Sequence, residues 1–113
     1  MSDKYTIYTL VDPITNEVRY LGRTKRKLSA RLNAHKTDSS SYDKYMWFQS
    51  LVAQSKTPSI IKIDEVDGLE QANIKEQEYI KHYLSIGCNL LNMTHCRKYG
   101  TYKGYKDYPI VNK

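Results

Sequence analysis

Tyr5-Thr6-Ile7-Tyr8-Thr9-Leu10-Val11, then Val18-Arg19-Tyr20-Leu21-Gly22, then Arg31 and His35, is the stretch on which the reading of this chain turns. Residues 5–11 are β-branched or aromatic in alternation, the pattern of a strand. Asp12-Pro13-Ile14-Thr15-Asn16-Glu17 supplies turn residues, and Val18 to Gly22 reads as the return strand of a hairpin. Behind it, Leu28 and Leu32 form the apolar stripe of a first helix over about 27–36, with Thr24 or Ser29 near its start. Residues i and i+4 share a helix face, with Cβ atoms about 5–6 Å apart. Arg31 and His35 therefore point together at something anionic. Two strand tyrosines, an arginine and a histidine converging in a basic chain suggest phosphodiester chemistry.

Further along, Ser39-Ser40-Ser41 breaks the first helix, and one of these serines is expected to cap a second. That helix, over about 42–54, carries Tyr45, Met46, Phe48, Leu51 and Val52. Pro58 opens a third strand over 60–66. A third helix follows Gly68, runs over about 69–85 and is stopped by Gly87. The order ββααβα gives a small sheet covered by helices, an α+β sandwich.

At 113 residues the chain has room for one sizeable core. No run of eighteen apolar residues is present, so no transmembrane helix is expected. Met1-Ser2-Asp3-Lys4 lacks an apolar signal region, and two cysteines are too few for a disulfide framework; an intracellular, reducing compartment is the expectation. Net charge is +6, and its segregation matters more than its sum. Residues 22–36 carry six basic side chains (Arg23, Lys25, Arg26, Lys27, Arg31, Lys36) and no acid. Residues 64–78 carry six acids against Lys75, and residues 97–113 five basic groups against one acid. A polyanion binder with a metal-holding helix needs this separation, although a solvated basic surface has it too.

Thr6-Ile7-Tyr8, about ten residues, Tyr20-Leu21-Gly22, then a step leading to Arg31 and His35, resembles the GIY-YIG nuclease family. Glu76-Gln77-Glu78-Tyr79-Ile80 is similar to that family's helix with a metal-binding glutamate, and Gly87-Cys88-Asn89-Leu90-Leu91-Asn92 to its closing Leu-Leu-Asn element. The five elements come in order over roughly residues 5–94. Thr6 stands where the family has its first glycine, and Leu21 where it has its second isoleucine. The resemblance implies a three-stranded antiparallel sheet flanked by helices, within a nuclease domain at 1–94. Residues 95–113 are then a basic, tyrosine-rich tail, possible packing for the domain or a stacking surface for unpaired bases through Tyr99, Tyr102, Tyr105 and Tyr108.

By the same resemblance the catalytic residues are Tyr8, Tyr20, Arg31, His35 and Glu76, acting by in-line hydrolysis of DNA. Tyr8 helps deprotonate a water with His35 or a second water as relay, Tyr20 orients that water, and Arg31 stabilises charge on the phosphate oxygens. Its planar fork matches two such oxygens. A phenol titrates near 10, so ionising it at neutrality costs roughly 4 kcal/mol, which nearby cations lower. Glu76 lies four residues from both Ala72 and Ile80, on the inward stripe of the third helix with Leu69, Tyr83 and Leu84. A carboxylate facing inward is either paired with an arginine or holds a cation. The family match favours Mg²⁺ (or Mn²⁺), which takes one or two carboxylates and fills its shell from water and phosphate. Glu78 points to solvent.

Arg23, Thr24, Lys25 and Lys27 are expected to contact the phosphate backbone, and Asn92 either the site or its own loop. Cys88, His95, Cys96 and His82 match no common structural zinc spacing. Low sequence specificity is expected, since there is no room for a separate DNA-reading domain. A partner-dependent, structure-selective nuclease and a non-catalytic nucleic-acid-binding module are the alternatives; RNA as substrate stays open.

Overall fold

A computed structural model of the chain describes residues 3–39 and 41–92. His95, Cys96 and the tyrosine-rich tail lie outside the described residues. The elements follow the order expected: β1 (Lys4–Val11), β2 (Val18–Thr24), α1 (Leu28–His35), α2 (Tyr42–Ala53), β3 (Ser59–Asp67) and α3 (Leu69–Ser85). The fold is α+β, with a three-stranded antiparallel sheet of order β2-β1-β3.

The central strand is buried without interruption from Ile7 to Val11 because it is covered on both faces. Ile7, Tyr8, Leu10 and Val11 are all buried, which is what two flanking layers demand of a middle strand. Ile7 joins Leu21, Ile80 and Leu90 in a core under α3, with Ile63, Val66, Tyr79, Tyr83 and Leu84 packed against it. Tyr8 and Leu10 point the other way and meet Phe48, with Leu28, Leu32 and Trp47 around them. Alternate residues of one strand thus feed two separate cores.

Side-chain hydrogen bonds set the hairpin turn. Asp12 Oδ1 accepts from the amides of Ile14 and Thr15, and its Oδ2 accepts from Trp47 Nε1 at 2.9 Å, which ties the turn to α2. Between β1 and β3 the register slips at Tyr8: Ile7 faces Asp64, whereas Tyr8 faces Lys62. Ile63 is the extra residue of this bulge. A bulge re-aims the side chains beside it, and here it sits against the tyrosine on which the site is built.

α3 ends as Gly87 predicts. That glycine has φ of 96°, and the amides of Gly87 and Cys88 turn back to the carbonyls of Leu84 and Tyr83. The segment beyond it then covers the open edge of β2. The Leu91 amide donates to the Arg19 carbonyl, and the Asn92 side chain both accepts from the Leu21 amide (2.9 Å) and donates to its carbonyl (2.8 Å). An exposed strand edge is a template for unwanted pairing, and Asn92 closes this one.

Two local expectations fail. Ser41 holds the N-cap position of α2 without a side-chain cap bond; Ser40 lies outside the described residues. Ser29 lies in the first turn of α1, as expected, and Thr24 Oγ1 accepts from the Arg26 amide and so shapes the turn before the helix. Leu69, placed on the inward stripe of α3, is half exposed at the first position of the helix. Among the described residues no helix is long and apolar enough to cross a membrane.

Candidate active site

The return strand and the helix after it bring the chosen side chains to one cleft of about 440 Å³. Tyr8, Tyr20, Gly22, Arg31 and Glu76 line it, with Arg23, Thr24, Lys25 and Arg26 along one wall. Tyr5 and Leu69 complete it; sequence reasoning named neither for this purpose. Four cations face one carboxylate there, so the cleft is strongly positive. Lys27 is exposed at the start of α1 and does not line it. Asn92 does not line it either, since its amide is engaged by the backbone of Leu21.

The phenol oxygen of Tyr8 is the centre of the arrangement. His35 Nε2 lies 2.7 Å from it, and Arg31 Nε donates to it at 3.1 Å. One turn of α1 separates these two residues, so the i, i+4 spacing does converge them, but on a tyrosine rather than directly on an anion. Gly22 explains how the ring fits. It faces Tyr8 across the β1–β2 ladder, and a Cβ there would collide with the phenol oxygen and lie 2.6 Å from Cζ. Only glycine lets the strand pass so close. Tyr20 stands 6.5 Å from Tyr8 and 5.3 Å from His35, centroid to centroid.

Burial dominates the titration of the site. It pushes the Tyr8 phenol above its usual range, against the opposing pull of the Arg31 hydrogen bond and charge. It raises Tyr20 as well, with help from Tyr8 and Glu76. His35 is fully buried, and burial followed by the charges of Lys44 and Arg31 brings its pKa down to about 3. Its ring is therefore neutral at physiological pH.

Glu76 sits on α3 where the Ala72–Ile80 stripe places it, 16% exposed, and forms an ion pair with Arg23 at 2.7 Å. Of the two readings of an inward carboxylate, the arginine pair is the one observed. Burial raises the Glu76 pKa, and Arg23 only partly offsets this. Glu78 is solvated, paired with Lys75 at the surface. Among the described residues no three His, Cys, Asp or Glu side chains gather to make an all-protein metal cage. Glu76 is the one carboxylate among the described residues that lines the cleft, and a single carboxylate suffices for a hydrated Mg²⁺ that draws its other ligands from water and phosphate, the phosphate offsetting the surrounding positive charge.

Lys44 was missed. It is 2% exposed, its ammonium 2.8 Å from His35 Nδ1, 3.1 Å from Asp38 Oδ2 and 4.8 Å from the Tyr20 ring centre. The signal was available: positions 44, 48 and 51 are spaced i, i+4, i+7, and Lys44, Phe48 and Leu51 are the buried residues of α2.

The buried neutral histidine makes stability pH-dependent. Unfolded, His35 titrates near 6.5; folded, near 3. Between these values the unfolded chain binds more protons, so this contribution is complete above pH 6.5 and is lost as pH falls. One pKa unit corresponds to about 1.4 kcal/mol, so unfolding free energy should fall by about 3 kcal/mol from pH 6.5 to pH 4. Urea melts across that range, subtracting those of His35→Gln, isolate the group; a flat difference contradicts the buried neutral ring.

No protein-family model, curated protein or solved structure matches the chain.

Proposed function

We propose that the chain is a metal-dependent endonuclease of the GIY-YIG type, hydrolysing DNA phosphodiester bonds with low intrinsic sequence specificity and leaving 5′-phosphate and 3′-hydroxyl ends. The observation that carries this reading is the convergence of Arg31 and His35 on the Tyr8 phenol at the floor of a positive cleft that Glu76 also lines.

In this reading the scissile phosphate sits against Arg31. One guanidinium N–H holds Tyr8, and the others present a fork to the non-bridging oxygens. Tyr8 takes the proton of the attacking water, Tyr20 orients that water, and Arg23, Lys25 and Arg26 hold the flanking backbone. Glu76 would hold Mg²⁺ or Mn²⁺, which supplies charge neutralisation at the leaving 3′ oxygen. Arg23 competes for the same carboxylate and, once displaced from it, faces the phosphate backbone. DNA is the expected partner, in an intracellular setting.

Supercoiled plasmid incubated with the purified protein, with Mg²⁺ or with EDTA, tests the reading beside Glu76→Ala. Metal-dependent nicking by wild type alone is the expected result. Equal nicking by Glu76→Ala places the metal elsewhere or identifies a contaminant. Tight DNA binding without cleavage overturns the enzyme in favour of a binding module or a nuclease that needs a partner.

A further inference from the structure

We propose that Lys44 is a positioning residue that holds His35 as the Nε2–H tautomer, so that His35 donates to Tyr8 and the Tyr8 proton is directed into the cleft. The inference deepens the nuclease reading and rests on it for its catalytic meaning.

The argument starts from the three groups around the Lys44 ammonium. Asp38 offers a carboxylate oxygen at 3.1 Å, Tyr20 the face of its ring at 4.8 Å and His35 its Nδ1 at 2.8 Å. Burial pulls the Lys44 pKa down and Asp38 opposes it; a carboxylate and an aromatic face both favour the charged amine, and an ammonium can only donate. Nδ1 must therefore accept, with its lone pair toward Lys44. A neutral imidazole carries one proton, so that proton is on Nε2.

Nε2 in turn is 2.7 Å from the Tyr8 oxygen, and the bond runs from histidine to tyrosine. Arg31 Nε donates to the same oxygen. Two donors occupy both lone pairs of the phenol, and its own O–H is left the remaining direction, toward the cleft that Tyr8 lines. The titratable groups facing the imidazole are Arg31 on its own helix, Asp38 after it, Lys44 on α2, Tyr8 on β1 and Tyr20 on β2. Their balance with burial keeps the ring neutral.

The expected relay through His35 is thereby revised. A ring that already donates through Nε2, with Nδ1 engaged by Lys44, has no position on which to receive the Tyr8 proton. The phenol releases its proton to cleft solvent, and the resulting oxygen is held by two fixed donors, the geometry of an oxyanion hole with Tyr8 as its occupant. On attack, a water O–H bond breaks as the Tyr8 O–H bond forms, the water oxygen bonds to phosphorus as the P–O3′ bond breaks, and the leaving 3′ oxygen takes a proton from cleft water; the proton count on His35 is unchanged throughout.

Long-range ¹H–¹⁵N spectra of the uniformly labelled full chain read the tautomer without turnover, with His35 assigned by the signals missing from His35→Asn. Wild type should show a protonated Nε2 and a bare Nδ1 from pH 5 to pH 8. Lys44→Met, which keeps the aliphatic stem, should move proton density to Nδ1, and Lys44→Arg should restore the wild-type pattern. A protonated Nδ1 in wild type overturns the proposal, as does an unchanged pattern in folded Lys44→Met. The wild-type spectrum decides even if the methionine variant fails to fold. Because no cleavage is involved, absence of plasmid nicking would sink the nuclease reading and leave the tautomer assignment standing.

Discussion

Gly22→Val should silence cleavage and cost the fold about 3 kcal/mol. The position is a buried one on β2, and the obstacle to a side chain there is the Tyr8 ring, with Cζ 2.6 Å from where a Cβ would lie. A ring can yield to such a clash only by leaving. Tyr8 is fully buried, flanked by Tyr20, and its oxygen is held by both His35 and Arg31. Overpacking a site of this kind costs typically 1–3 kcal/mol, and a β-branched residue belongs at the upper end. The functional loss is larger than the loss of stability. Any movement that relieves the clash takes the phenol oxygen off its two donors, and displacement of a reacting group by about 1 Å lowers rate about 10²-fold. A urea-melt double-mutant cycle with Tyr8→Leu checks the cause. If the ring is what the valine strikes, the stability cost should largely disappear once the ring is gone. An undiminished cost in the Tyr8→Leu background contradicts the geometry.

Much of the fold was legible because hydrophobic period and turn chemistry agree with each other. The hairpin, the three helices and the stop at Gly87 all follow from residues whose local preference matches their final position. The convergence of Arg31 and His35 was legible from spacing alone, since it depends only on helix geometry. Tyr8 and Tyr20 were not separable from nine other tyrosines by composition; what singles them out is their packing against Arg31 and His35 of α1, which the hairpin pattern does not reveal. The bulge at Ile63 left no mark that a strand pattern reveals.

Lys44 shows a different kind of failure. A lysine in Tyr42-Asp43-Lys44-Tyr45 is taken as solvated by default, because burying an ammonium is costly unless it is paired. The apolar residues of α2 do not mark its buried stripe on their own, since Met46 and Val52 are about half exposed. The true stripe passes through Lys44, and its partner Asp38 lies in the connection between helices, where no periodicity points to it. Asn92 was left between two roles for the complementary reason. Its bonds go to backbone atoms of Leu21, and backbone partners have no sequence signature.

The second large effect should come from Arg31→Ala. Its guanidinium donates to the Tyr8 oxygen and lines the cleft, so its loss removes a fixed donor to that oxygen and, in the nuclease reading proposed above, the fork for the phosphate as well. Removing one donor of this type lowers turnover about 10²–10³-fold, and with both roles gone plasmid nicking should fall at least 10³-fold on that scale. Arg31→Lys should not recover it, because a point charge cannot hold Tyr8 through one nitrogen and fork the phosphate with two others. The pH profile carries a further signature. Burial already raises the Tyr8 pKa, and Arg31 is the group that opposes it, so the residual rate of the alanine variant should keep rising to higher pH than wild type. The fold should tolerate the change within about 1 kcal/mol, since the side chain is only half-buried and fills no core position. Strong residual turnover with unchanged metal dependence and an unmoved pH profile would remove Arg31 from the chemistry and leave Tyr8 held by His35 alone.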